Sequence, residues 1–346
     1  MTDNALGYRI TIGSQTLSHK ANDNERLLLK AVVQLSMDGY GNRCELLLGD
    51  AENTAPKAQD AVTVELDNGA GMKKVFTGTV DSVSITATQQ RVIAFDALNR
   101  LNNVYVESSY EKVDVGYVVK DLLSQGSVSV GTIETGFKLS AWLAYKQIPA
   151  LAHLQQFAYW CGADLYSDNT GKVQFTLAKN TGTAHSFQYG QAVRELSLYE
   201  QTPLYDSVEV IGEGAASSQG AEKFYWLAKD VSGVSGKAMI AVKTGQVSTG
   251  KLGNKPRRLV LGAIRSQESA KQVAENILQA LASRWLSGRL LVMGSPEIQL
   301  ADSIKVTDLP KQHSAVSLLN SEHKLRVRGI RHTLDRTVGL MTELTF

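Results

Sequence analysis

Six histidines and two cysteines carry the widest chemical repertoire in this 346-residue sequence: His19, His153, His185, His313, His323 and His332, with Cys44 and Cys161. A zinc peptidase needs histidines at i and i+4 around a glutamate, and thiolate zinc sites need closely paired cysteines. Neither spacing occurs. His153 and Cys161 lie in one stretch of helical periodicity, but their separation is about 12 Å along a helix axis. A base and its nucleophile must be in hydrogen-bond contact. Both cysteines sit in apolar surroundings, NRCELLL and YWCGADL, and read as reduced, buried thiols in a chain made in a reducing cytosol. Asp60, Asp164 and Asp168 are the candidates for paired glycosidase carboxylates. Asp168 belongs to SDNTG, where Asp and Asn bond their own backbone, and Asp60 immediately precedes a strand pattern.

Phosphate binding finds no support either. IGEGAASSQG lacks the GK[ST] ending, and LGNKPRR has a lone GNK before a proline. The basic run KLGNKPRR, 251–258, reads as a solvated loop. No catalytic, cofactor-binding or metal-ligating residue is therefore expected, and no cofactor. Thirty-six basic against thirty-four acidic residues give a net charge of +2, which disfavours specific nucleic-acid binding. Apolar runs such as LLLKAVVQL are far shorter than the roughly 20 residues a membrane helix needs, so no membrane insertion is expected. The N-terminal MTDNALGYRITIG has no basic segment followed by an apolar one, which argues against a secretory leader. The four tryptophans, Trp142, Trp160, Trp226 and Trp285, are scattered. The aromatic island FYWLA, 224–228, is either a displayed contact element or the packed part of an inserted hairpin.

With 43% apolar and 20% charged residues the chain has the composition of a globular protein. From residue 7 to 96 the pattern has period two: YRITIG, AVVQLSM, CELLLGD, AVTVEL, VFTGTVDSVSI and VIAFDA, separated by turn-rich pieces. This reads as a small antiparallel barrel or sandwich. Helical spacing follows in DVGYVVKDLLSQG (114–126), with Asp114 as N-cap and Gly126 at the end, and in PALAHLQQFAYWCGA (149–163). A hairpin centred on SDNTG comes next. TPLYDSVEVIGEG (202–214) reads as a strand, and 215–255, rich in Gly, Ser, Thr and Lys, as a loop or a small inserted hairpin pair. SQESAKQVAENILQALASRWLSG (266–288) is the strongest helix, capped by Ser266, with Ala270, Val273, Ala274, Ile277, Leu281 and Trp285 as its apolar stripe. Strands resume at 288–294, 302–308, 324–334 and 338–346.

One order of elements occurs twice. Asp60-Ala61-Val62-Thr63-Val64 follows Pro56, and Asp302-Ser303-Ile304-Lys305-Val306 follows Pro296. Each is followed by a loop and a long alternating hairpin, at 76–96 and at 325–346, closing near Phe95 and Phe346. The expected fold is thus β-rich α+β: two similar antiparallel β-barrels with an intervening α+β domain. The boundaries are 1–103, 104–195 and 196–346, with the insertion at about 215–255 in the last. An internal repeat of this kind can generate quasi-symmetry.

This layout resembles the baseplate hubs of contractile phage tails and related injection systems: the late-control D proteins, the Mu-like tail proteins and the N-terminal hub part of the type VI secretion spike. The resemblance rests on the order of AQDAVTVELDNGAGMKKVFTGTVDSVS, IAFDALNRLNN, LQQFAYWCGADLYSDNTGKVQFTL, SPEIQLADSIKV and LRVRGIRHTLDRTVGLMTELTF, which span most of the chain. It implies a non-enzymatic structural protein: a homotrimeric ring that adapts a hexameric tail tube to a trimeric spike, located in the virion tail baseplate or an injection particle and synthesised in the bacterial host cytoplasm. Its implied partners are further copies of itself, the spike, the tube protein and other baseplate components. Because the sequence ends after the second hairpin, the spike is expected to be a separate chain. A tail-associated carbohydrate-binding or cell-wall-degrading protein is the alternative, and a soluble monomeric enzyme a third.

Overall fold

The computed structural model describes residues 7–19, 28–49, 55–178, 182–200, 203–212, 234–241, 245–284, 286–319 and 325–346. The first β region forms β1 (Gly7–Ile12), β2 (Gln15–Ser18), β3 (Leu28–Ser36), β4 (Arg43–Gly49), β5 (Ala61–Asp67), β6 (Lys73–Ile85) and β7 (Gln89–Phe95). Strict alternation decides which side of each strand is buried: in β4, Cys44, Leu46 and Leu48 point inward while their neighbours are only partly covered. A short helix α1 (Ala97–Arg100) follows, N-capped by Asp96, whose carboxylate accepts from the Asn99 amide at 3.1 Å.

The intervening region contains β8 (Ser108–Asp114), α2 (Val115–Gln125), β9 (Val130–Ile133), β10 (Lys138–Ala144), α3 (Ala150–Cys161), β11 (Ala163–Ser167) and β12 (Val173–Leu177). The two helices lie within the expected stretches. Asp114 holds the N-cap position of α2, but its side chain makes no capping hydrogen bond. Gly126 is the C-cap of α2, as expected, but at a negative φ of −80°; the left-handed residue there is the next one, Ser127, at φ +53°, whereas α3 ends on a left-handed C-cap, Gly162, at φ +57°. There follow β13 (Ala184–Gln188), β14 (Val193–Glu200), β15 (Ser207–Gly212), β16 (Ser235–Ile240), β17 (Val247–Thr249) and β18 (Pro256–Leu261). Helix α4 (Gln267–Ala282) begins as expected, with Ser266 Oγ accepting from the Ser269 amide at 3.1 Å. It ends before the expected residue 288, because Leu286 already belongs to the next strand. The chain closes with β19 (Leu286–Met293), β20 (Ser303–Thr307), β21 (Leu325–Arg326), β22 (Gly329–Asp335) and β23 (Gly339–Thr345).

Among the described residues the fold is β-rich, with four α-helices and a large antiparallel sheet. Eleven strands run in the order β14-β19-β23-β22-β3-β4-β7-β6-β5-β1-β2, every neighbouring pair antiparallel. The two β regions expected as separate barrels are thus joined edge to edge, β22 pairing with β3 from Gly329 opposite Ser36 to Asp335 opposite Lys30. Small sheets complete the molecule: β10-β8, β11-β12-β9, β13-β20-β21 and β17-β16-β15-β18.

Two apolar cores result. One gathers both ends of the chain, with Ile10, Leu46, Phe76 and Val92 packed together with Leu290, Val292 and Leu344. The other holds α2, α3 and their strands, and also Val208, Val210, Ala238 and Ile240 of β15 and β16 and the apolar stripe of α4. Strands β15 and β16 and helix α4 therefore pack with the helices of the intervening region. Each fully buried Leu, Val or Phe contributes about 1.5–3 kcal/mol relative to exposure, so both cores are substantial. The FYWLA island, Trp226, His323 and Trp285 lie outside the described residues.

Candidate functional site

The side chains with chemical potential are dispersed and mostly used for packing. His153 on α3 is completely buried, edge-on to Trp142 (ring centroids 5.8 Å apart) and to Tyr145 (5.5 Å), and burial lowers its pKa so that it stays neutral. Burial pushes the Cys161 thiol up to about 12 and Cys44 higher still, the reverse of what a nucleophilic thiolate requires. His332 is buried on β22, its Nδ1 2.9 Å from Thr342 Oγ1, with its pKa lowered to about 4 by desolvation. His185 Nε2 lies 2.9 Å from Asp302 Oδ2, and the Nδ1 atoms of His19 and His313 accept from the amides of Tyr8 and Ala315. Asp168 Oδ1 accepts from the amides of Thr170 and Lys172, the expected turn chemistry. Among the described residues no three His, Cys, Asp or Glu side chains group as metal ligands would.

The basic run is also engaged. The Arg257 guanidinium sits over the rings of Tyr159 and Tyr205, at 5.4 and 5.2 Å, and Arg258 Nε donates to Glu209 at 2.9 Å. Trp142 and Trp160 pack against each other at 5.5 Å, edge to face.

What the sequence did not reveal is a buried ion cluster at the meeting point of the three regions. Asp164, at the start of β11, has a side chain only 1% exposed. Its two oxygens accept from Arg326 Nη1 of β21 and, at 2.9 Å, from Arg328 Nη2, just before β22. Arg328 also forks onto Asp38, in the turn after β3, at 2.7 and 3.1 Å, and Arg284, beyond α4, approaches both aspartates at 3.5 Å. Burial pushes the Asp164 pKa up, but Arg328 and Arg326 outweigh it and hold the carboxyl below its usual range. In LRVRG the two arginines look like the solvent side of an alternating strand. The available signal was their i, i+2 spacing, which puts both on one face.

The second feature is a duplication matched residue by residue. Gln59 and Ala301 are both left-handed, at φ +72° and +73°. The Gln59 amide donates to Val80 O at 2.8 Å and the Ala301 amide to Val327 O at 2.9 Å. Asp60 Oδ2 accepts from the amide three residues earlier, Lys57, at 2.8 Å; Asp302 Oδ2 does the same with Gln299 at 2.9 Å. Val80 and Val327 donate back to the carbonyls of Asp60 and Asp302 at 2.8 and 2.7 Å. The correspondence continues through the sheet. Leu46 lies between Ala31 and Val92, as Leu290 lies between Leu196 and Leu344. The β3–β4 ladder slips between Leu28 and Lys30, and the β14–β19 ladder slips at the corresponding place, between Val193 and Glu195. The strand order β3-β4-β7-β6 is therefore repeated as β14-β19-β23-β22. A shared left-handed non-glycine residue and a shared bulge each cost local strain or pairing, so their recurrence in register marks one design used twice.

Comparison with solved structures finds this fold in tail proteins. The prophage MuSo2 43 kDa tail protein of Shewanella oneidensis superimposes with a TM-score of 0.68 at 13% identity, over 99% of this chain and 98% of that one. A tail protein of Neisseria meningitidis gives 0.64 at 11% identity, over 98% and 95%. An E. coli component of the type VI secretion system, described as structurally similar to bacteriophage T4 tail proteins, gives 0.56 at 10%, over 97% and 75%. The hub resemblance read from the sequence is thus matched at the level of fold. The sequence itself matches no family model, and no curated protein matches it.

Proposed function

We propose that this protein is a structural hub of a contractile tail or phage-like injection device, a homotrimeric ring that adapts a hexameric tube to a trimeric spike. The observation that carries this reading is the register-matched duplication. A threefold ring presents six similar surfaces only if each subunit carries two, and this chain repeats one strand order, one bulge and one strained turn. The similarity of fold to tail proteins and to a type VI secretion component supports the same context.

In this reading the chain divides into a first barrel-like module at 1–103, an α+β domain at 104–195 and a second module at 196–346, which includes the insertion at about 215–255. Strands β15 and β16 and helix α4 brace the α+β domain. The role is mechanical, without catalytic, cofactor or metal residues. The partners are two further copies, a trimeric spike, the tube protein and other baseplate components, in the virion tail or an equivalent particle. The near-neutral net charge suits a channel wall that lets a payload pass without capturing it. A carbohydrate-binding surface would display tryptophans, whereas Trp142 and Trp160 pack against each other.

Light scattering of the protein alone and co-expressed with a trimeric spike tests the reading. The expected mass contribution is three times 37.6 kDa. A single copy in both preparations rejects it.

A further inference from the structure

The duplication makes a demand that the single chain leaves unmet. Within one chain the second module meets the first through β22 and β3. The matched turns at Asp60 and Asp302 place Val80 with Val327, and so Ser82–Ile85 of β6 with Gly329–His332 of β22. The matched bulges place β3 with β14, Lys30 with Glu195 and Gln34 with Tyr199. The counterpart of the β22–β3 contact is therefore a contact between β6 and β14, two strands that do not pair within the chain.

Among the described residues both edges are open. The first half of β6 pairs with β5 through Thr79, but beyond it no described strand covers that flank of Asp81–Ile85. Strand β14 ends the eleven-stranded sheet, with β19 on one side and no described strand on the other. Exposure of the matched positions differs in the direction this predicts. Ile85, the counterpart of His332, is 61% exposed, whereas His332 beneath the β3 junction is 1% exposed. Val83 is half-buried where its counterpart Ile330 is buried, and Leu198 is half-buried where Val33 is buried. Tyr199 is 59% exposed on β14. Open strand edges with uncovered apolar residues template pairing with another chain.

We infer that β6 of one copy pairs antiparallel with β14 of the next, in the register Ser84 opposite Tyr199 and Ile85 opposite Leu198, repeating the internal junction head to tail. The inference rests on the ring reading above and specifies the surface that closes the ring. It also separates two kinds of junction. At the internal one, Arg328 occupies the bulge before β22 and binds Asp38 and Asp164. At the matched bulge in β6 stands Asp81, exposed and without the arginine cluster, so the joint between copies relies on backbone pairing and apolar contact. Heterologous contacts of this type close into rings when the rotation permits.

The test is Ser84→Cys together with Tyr199→Cys in the full chain, exposed to oxidised glutathione, with each single variant as control. Directly opposed residues on paired strands fall within disulfide reach, and the native Cys44 and Cys161 are buried. Expected are disulfide-linked dimers and closed trimers in the double variant and neither in the single variants. A second variant, Ile85→Lys with Tyr199→Lys, at positions 61% and 59% exposed, should reduce the threefold mass to that of one copy while leaving the far-UV circular dichroism spectrum unchanged. A threefold mass with no cross-link overturns this pairing and leaves the adaptor reading standing. A single-copy mass at every concentration and beside the spike removes both.

Discussion

Replacing Asp164 with alanine should destabilise the fold by about 3–5 kcal/mol, the usual cost of removing one member of a buried ion cluster. The size follows from what is left behind. Arg326 and Arg328 have side chains 5% and 9% exposed, and both point at the deleted carboxylate. Asp38, half exposed, can satisfy Arg328 only in part. Because Asp164 ties β11 to β21 and to the residue just before β22, the loss should loosen the seam between the two cores rather than one strand. Chemical denaturation measures it. The pH dependence has a definite sign. A carboxyl held below its unfolded value by Arg328 and Arg326 contributes fully above the unfolded pKa of about 4 and loses that contribution as pH falls through the lower folded value. The natural protein should therefore lose stability in acid below about pH 4, and Asp164→Asn should show a flatter acid limb from a lower starting point. An Asp164→Ala variant as stable as the parent would mean that the cluster holds nothing together.

Gly162→Ala should cost about 3 kcal/mol, by two separable routes. At φ +57° the residue is left-handed, a conformation that costs an alanine about 1–2 kcal/mol. Its added Cβ would fall 2.2 Å from the carbonyl oxygen of Asn276 in α4, where backbone rather than a flexible side-chain tip must give way. Overpacking of that kind adds about 1–3 kcal/mol. A shift in denaturation midpoint checks the sum, and Gly162→Asn separates the routes. Asparagine tolerates the left-handed region better than alanine but meets the same oxygen, so it should recover only the backbone part. A neutral Gly162→Ala would mean that α3 and α4 are not held at this distance.

The legible parts of the sequence were those in which local pattern and tertiary environment agree. β4 and β5 alternate because one face is buried, α4 announces itself by the Ser266 cap, and the repeat was visible in the matching Asp60 and Asp302 segments. Its register was not. Gly78 and Gly329 invite an alignment by eye, but the hydrogen bonds of the two turns align Val80 with Val327, and only the ladders reveal the bulges before Lys30 and Glu195. β14 escaped notice because VRELSLYE is an edge strand whose partner β19 lies far along the chain, so no neighbouring segment marks its pattern. The end of α4 was overrun because its apolar stripe passes directly into the apolar face of β19. Arg326 and Arg328 were missed for a general reason: a charged residue in an alternating strand reads as solvent-facing unless its buried partner, here Asp164, is known.

If each chain carries two look-alike modules, three copies should present sixfold order. Averaged end-on electron micrographs of the isolated ring measure this directly through the rotational power spectrum. Six lobes of near-equal density, with a strong sixfold component, are expected. A ring of three lobes with no sixfold component, or a particle without rotational symmetry, would contradict it.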